Sequence, residues 1–259
     1  MGLEKKLIVA NWKMNFNVHE SSLYVTKLAE MIPTRRDVEV VLCPSLLALQ
    51  PLSLQVNHRQ FKLGSQNCYW RDDGAFTGEI SATQLRGLAQ YVLVGHSERR
   101  LIFGETDRDV RFKAQATLRN GLSPIVCIGE TQFEREEGDT EHVLSDQLVS
   151  GLLNVGSDEI SEVVIAYEPV WAIGAGEWPE VGDIERVTTL IRDQVAHLFG
   201  RAAGRDVRIL YGGSVNAKNA QVFLNTKGVD GLLVGGASLN ANEFSQIVDI
   251  AYQTTKDQV

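Results

Sequence analysis

The feature that most constrains this chain is an alternation along its whole length, in which short apolar, β-branched runs are followed by longer segments of helical period. Strand-sized runs fall at residues 7–11, 38–43, 61–66, 91–95, 123–128, 163–167, 207–211 and 231–234. Amphipathic stretches fall between them, among others at residues 21–31, 107–120, 141–153, 184–199 and 241–252. Strand-then-helix alternation calls for parallel pairing, because parallel neighbours need a crossover connection. Eight such units in 259 residues suit a closed (β/α)8 barrel, which takes about 250 residues. An open doubly wound sheet of eight strands is the alternative on pattern alone. It is weakened because no Gly-rich dinucleotide fingerprint follows the first strand. No Pro/Ser/Gly linker or low-complexity tract interrupts the chain, so one α/β domain over residues 1–259 is expected.

Composition narrows the function classes. The formal charge of −8 comes without a Lys/Arg-rich stripe, which argues against nucleic acid as a partner. The apolar runs are strand-sized, short of the roughly 20 residues that a membrane helix needs. The run at residues 7–10 is too brief for a signal-peptide core, and Lys6 stands where a myristoylation site wants Ser or Thr. A cytoplasmic protein is expected. Cys43, Cys68 and Cys127 are odd in number and widely spaced, so neither a disulfide framework nor a zinc site is suggested. An acidic protein that handles an anionic substrate must then supply its positive potential locally.

Barrel enzymes gather their catalytic residues at the C-terminal ends of the strands. The first run ends in Asn11-Trp12-Lys13, the fourth in Gly95-His96-Ser97-Glu98 and the sixth in Tyr167-Glu168-Pro169. The seventh ends in Tyr211-Gly212-Gly213-Ser214 and the eighth in Val234-Gly235-Gly236. Each feature alone has an ordinary reading: a satisfied polar histidine, a glutamate in a salt bridge, a solvated lysine, Gly pairs at turns of positive φ. Together, at one end of one barrel, a Lys, a His and a Glu converge on a cavity beside two Gly pairs, where such barrels bind phosphate.

Seven stretches, in order along nearly the whole chain, resemble the triosephosphate isomerases. They are Ala10-Asn11-Trp12-Lys13-Met14-Asn15, Gly74-Ala75-Phe76-Thr77-Gly78-Glu79-Ile80-Ser81, Val94-Gly95-His96-Ser97-Glu98-Arg99-Arg100 and Cys127-Ile128-Gly129-Glu130-Thr131. The remainder are Ala166-Tyr167-Glu168-Pro169-Val170-Trp171-Ala172-Ile173-Gly174, Tyr211-Gly212-Gly213-Ser214-Val215 and Leu233-Val234-Gly235-Gly236-Ala237-Ser238-Leu239. The resemblance implies a TIM barrel that moves a proton between adjacent carbons of a small phosphorylated sugar, with no metal or organic cofactor. It implies Glu168 as the base and His96 as a neutral imidazole that polarises the carbonyl, near a helix N-terminus with Ser97 as candidate cap. Lys13 and Asn11 would face the developing enediolate. Main-chain N–H groups at Gly174, Ser214, Gly235 and Gly236 would bind phosphate, helped by a short helix after the eighth strand. Glu98 and Cys127 would assist at most, and packing is the default for Cys127 on the fifth strand.

Residues 169–179 resemble a lid over the substrate, with one departure. The usual Thr-Gly-Lys is replaced by Ala175-Gly176-Glu177, followed by Trp178 and Pro179, so altered lid kinetics or substrate size are expected. Residues 66–81 resemble a loop that inserts into a second subunit, with Thr77 reaching the partner's Asn11 and Lys13, which implies a homodimer. Three other readings stand beside this one: isomerisation of a four-carbon sugar phosphate, a barrel lyase or synthase lacking its further acid–base groups, and a catalytically silent scaffold.

Overall fold

The computed structural model describes residues 5–174 and 178–257. Eight strands form in chain order: β1 (Lys6–Asn11), β2 (Val38–Cys43), β3 (Lys62–Ser65), β4 (Tyr91–Val94), β5 (Ser123–Ile128), β6 (Val164–Tyr167), β7 (Arg208–Tyr211) and β8 (Gly231–Val234). All neighbours pair in parallel, and β8 pairs with β1, which closes the barrel and removes the open-sheet alternative. The apolar runs predict each strand to within a residue at either end.

Alternation along each strand builds two layers of packing, since successive side chains point to opposite faces. On β1, Leu7 and Val9 turn into the barrel, where they meet Val41, Leu93, Ile125, Val164 and Leu210. Ile8 and Ala10 turn outward against the helices, with Val40, Leu42, Val92, Val126 and Ile165. Both faces are covered, so these strands read as continuous apolar runs. The predicted amphipathic helices appear as Val18–Met31, Asp107–Arg119, Thr140–Leu152, Val181–Phe199 and Ala241–Asp257. The floor of the barrel is polar: Tyr91 donates to Glu39, and Arg208 donates to the Tyr91 hydroxyl at 3.1 Å.

Candidate active site

The C-terminal ends of the strands enclose a cavity of about 250 Å3. The barrel brings Asn11, Lys13, His96, Glu168, Gly174, Ser214, Gly235 and Gly236 to its wall, whereas Glu98, Cys127 and Thr77 lie outside the lining. Lys13 is the only cation among the lining residues.

After β1 the chain turns sharply. Lys13 has φ +52°, a left-handed conformation that few residues with a side chain adopt. Such a conformation costs on the order of 1–3 kcal/mol and persists where contacts over-determine it. Here Lys13 N–H donates to Asn11 Oδ1 at 3.0 Å. The Lys13 carbonyl accepts from Gln66 Nε2 at 2.8 Å, and the same amide donates to the Cys43 carbonyl at 2.9 Å. Trp12 is fully buried, edge-on to Phe16 and Tyr24. So held, Lys13 Nζ meets Glu98 Oε1 at 2.5 Å. Gln66 is a positioning residue that sequence reasoning missed. A lone Gln after a strand carries no signal, and its role exists only where β2 and the Lys13 turn come within its reach.

His96, not Ser97, caps the helix Ser97–Phe103: its Nδ1 accepts from Glu98 N–H at 3.2 Å. The reason is geometric. An N-cap side chain must reach forward to the N2 or N3 amide, and Ser97 already lies inside the helix with its own N–H turned to the site. Because Nδ1 accepts, the hydrogen-bond pattern assigns the ring proton to Nε2 of a neutral imidazole. Nε2 lies 3.1 Å from Glu168 Oε1, and Ser97 N–H donates to Glu168 Oε2 at 3.0 Å. Glu168, 2% exposed, is thus held by the Ser97 amide at a helix N-terminus, with the His96 ring against its other oxygen. Gly129 and Gly212 give it space. A Cβ on Gly129 would overlap the Glu168 carbonyl oxygen, and one on Gly212 would lie 3.0 Å from Glu168 Cγ.

The two Gly pairs line the cavity and are not alike. None of Gly212, Gly213, Gly235 and Gly236 has a positive φ, so the turn reading does not apply to them. At Gly213 the missing Cβ is required, since it would strike the Tyr211 hydroxyl; at Gly235 a Cβ would reach ordinary contact with Lys13 Cε at 3.5 Å, and at Gly236 it would meet open space. Gly174 does have a positive φ, +73°, and its N–H donates to Ser214 Oγ at 3.0 Å. The element after β8 is a four-residue 3-10 turn, Gly236–Leu239. The main-chain N–H groups of Ser214, Gly235 and Gly236 line the cavity with no acceptor among the described residues. Such amides suit an anion.

Pro169 leads from Glu168 into a second 3-10 turn, Val170–Ala172. Trp171 Nε1 donates to Glu130 Oε1 at 2.9 Å, and the Tyr167 hydroxyl donates to the same oxygen at 3.1 Å. Burial pushes the Glu130 carboxyl above its ordinary range, against these N–H and O–H donors. Arg135 stacks over the Trp171 ring at 4.2 Å and pairs with Asp183 at 3.0 Å, in the first turn of the helix Val181–Phe199. The substituted lid residues Ala175, Gly176 and Glu177 lie outside the described residues; Trp178 is exposed and Pro179 buried. Cys127 is fully buried on β5, and burial, reinforced by the charge of Glu168, holds its thiol well above the usual range. It packs as a neutral side chain. Thr77 is exposed on its loop and makes no contact with Asn11 or Lys13 of its own chain among the described residues.

A closed parallel barrel that collects a carboxylate, a neutral imidazole and one ammonium around a small cavity defines the class, a (β/α)8-barrel enzyme with acid–base groups beside an anion-receiving wall. Comparison with known proteins narrows that class. The family model described as triosephosphate isomerase matches residues 6–251. The chain is 43% identical over 248 residues to the triosephosphate isomerase of Alkaliphilus metalliredigens (strain QYMF), covering 95% of this chain and 100% of the relative. It is 42% identical over 251 residues to that of Clostridium tetani (strain Massachusetts / E88), covering 96% and 97%. The crystal structure of triosephosphate isomerase from Bartonella henselae matches with a TM-score of 0.86 at 37% identity, covering 96% of this chain and 99% of that one. The chain belongs to the triosephosphate isomerase family.

Proposed function

We propose that Glu168, His96, Lys13 and Asn11 carry out the reaction that family membership gives this chain, the interconversion of D-glyceraldehyde 3-phosphate and dihydroxyacetone phosphate. The observation that carries the residue roles is the setting of Glu168, a buried carboxylate between the His96 ring and the Ser97 amide. Glu168 takes the proton from the carbon beside the substrate carbonyl. The electron pair of that C–H bond becomes the enediolate double bond, and the carbonyl pair moves onto oxygen. His96 donates its Nε2 proton in a hydrogen bond to that oxygen, with the Lys13 ammonium and the Asn11 side-chain amide beside it. After a proton passes between the two oxygens, Glu168 returns its proton to the neighbouring carbon. Substrate must therefore replace both contacts that now hold the carboxylate. This pairing of a carboxylate base with a neutral imidazole is best known from this very family; here the Nδ1 contact to Glu98 N–H supports it independently.

The amides of Gly174, Ser214, Gly235 and Gly236 bind the phosphate in this reading, and glycine lets the main chain approach it closely. A cavity of about 250 Å3 is small for a ligand site and suits a three-carbon substrate. The four-carbon and scaffold readings are not favoured. Running the reaction in heavy water tests the scheme: product should gain deuterium on the carbon that receives the proton. Product without any solvent-derived hydrogen would indicate a hydride shift and overturn it.

Further readings belong to the same proposal. Residues 1–259 form one domain, supported by the closed barrel. The chain acts as a homodimer, supported by the exposed loop carrying Thr77 and by Met14, 97% exposed one residue beyond Lys13. Among the described residues no helix is long and apolar enough to cross a membrane. We place the enzyme in the cytoplasm, serving glycolysis and, in reverse, gluconeogenesis.

A further inference from the structure

At the opposite end of the barrel from the catalytic cavity, a second concavity of about 320 Å3 opens where the chain enters β2 and β3. We propose that it is a binding site for a small polyanion with adjacent phosphate groups. Lys5, Arg35, Arg36, His58, Arg59 and Lys62 line it, with Glu39 the only lining carboxylate among the described residues. This concentration of cations runs against the chain's net charge of −8.

Among the described residues, the carboxylates nearby offset it only at Arg35. Glu39 is engaged from the barrel floor by the Tyr91 hydroxyl and by Arg208 at 3.8 Å. Asp249 is taken up by Arg35 at 3.0 Å, and Asp37 does not line the concavity. Arg36, Arg59 and Lys62 have no ion pair or side-chain hydrogen bond among the described residues. Arg35 is pre-set for a ligand. Its guanidinium lies 3.6 Å over the Tyr252 ring, which fixes its plane, and its Nε is buried without a hydrogen-bond partner.

Arg36, Arg59 and Lys62, gathered without counter-ions among the described residues, repel one another, and a concave wall focuses their field on whatever enters. The wall is partly apolar, from Val38, Val40 and Phe61, which limits screening by water. Guanidinium forks match phosphate oxygens two at a time, and three arginines converge here. The volume lies at the small end of ligand pockets. An acidic molecule repels a long polyanion over the rest of its surface, so the occupant is a compact one. Free oligophosphate and a nucleoside triphosphate share the required chemistry.

The test is titration calorimetry of the full chain with inorganic tripolyphosphate and, separately, ATP, at low ionic strength. Saturating triose phosphates keep the catalytic cavity filled. One ligand should bind per chain, weakening roughly tenfold or more as salt rises. The variant R36S/R59S should bind at least about tenfold more weakly, with isomerase activity and thermal midpoint unchanged, since both side chains are exposed and far from substrate. Tighter binding of ATP than of tripolyphosphate supports the site with a nucleotide as its occupant; equal binding supports it with the phosphate chain alone. No binding to wild type, or equal binding to the variant, overturns the proposal. So would variant-sensitive binding of RNA or anionic vesicles without any binding of tripolyphosphate.

Discussion

Glu105 shows how a single residue steadies the site from behind. It is buried, and it accepts from the Gly95 amide at 3.0 Å, from Arg99 Nε at 2.6 Å and from the Lys113 ammonium. Through Gly95 it fixes the backbone just before His96. Burial alone would push its carboxyl up, but Lys113 and Arg99 outweigh burial and hold it below the ordinary 4.5. A carboxyl depressed in the folded state contributes stability above its unfolded value and loses it as pH falls through the folded one. The protein should therefore weaken below about pH 4.5. Glu105→Gln should cost about 3 kcal/mol at neutral pH, because the buried Lys113 is left without its counter-charge. Urea titrations of both proteins at neutral and acid pH check this; an unchanged midpoint at neutral pH would refute it. None of this was legible in the sequence. Glu105 looks like one more charge near a helix start, and its importance comes from three donors brought together only by the fold. Lys13, His96 and Glu168 were legible because their strand-end positions follow from the barrel itself.

At the scale of the element, the 3-10 turn Val170–Ala172 joins Glu168, the proposed base, to Gly174, whose amide is proposed to bind the phosphate. Arg135 ties this turn to the helix Val181–Phe199, by stacking on Trp171 and pairing with Asp183. Arg135 is a positioning residue on this account. Arg135→Met should lower kcat/KM about tenfold while leaving the thermal midpoint nearly unchanged, since small misplacements of catalytic groups are costly. Arg135→Lys, which keeps the charge for Asp183 but loses the planar stack, should recover only part of the loss. Full activity in Arg135→Met would remove the role. Strands were easy to read because each is a short apolar run between polar turns. The helix Leu46–Gln55 was not, because LLALQPLSLQ has almost no polar face and carries Pro51 inside it. The short helix Ser97–Phe103 was expected from the resemblance and not from its own pattern. Leu101, Ile102 and Phe103 are all exposed, so it has no buried stripe from which to read a period.

The whole molecule leaves apolar surface uncovered at Met14, one residue beyond Lys13, and at Phe76 on the loop that carries Thr77. Tyr69 stacks on Trp70 with ring centroids 4.1 Å apart and faces Phe76 at 4.6 Å, which stiffens the loop that carries Thr77. On the proposed homodimer, Thr77→Arg should shift the protein from dimer to monomer in sedimentation and lower kcat, because a bulky cation would not fit where Thr77 is proposed to enter a second copy's site. A variant that stays dimeric and fully active would exclude this loop as the interface. Eight strand–helix units gave parallel pairing and favoured the barrel over an open eight-stranded sheet, and the catalytic end follows once the barrel closes. The cap at His96 and the brace at Gln66 were not predictable, being contacts between segments distant in sequence or read one residue off. The central claim is that one buried carboxylate moves the proton. It is tested most directly by the rate of triose phosphate interconversion for wild type and Glu168→Ala, without added metal. The account predicts fast turnover in wild type and a loss of roughly a thousandfold or more in the variant. A variant within a few-fold of wild type would contradict it.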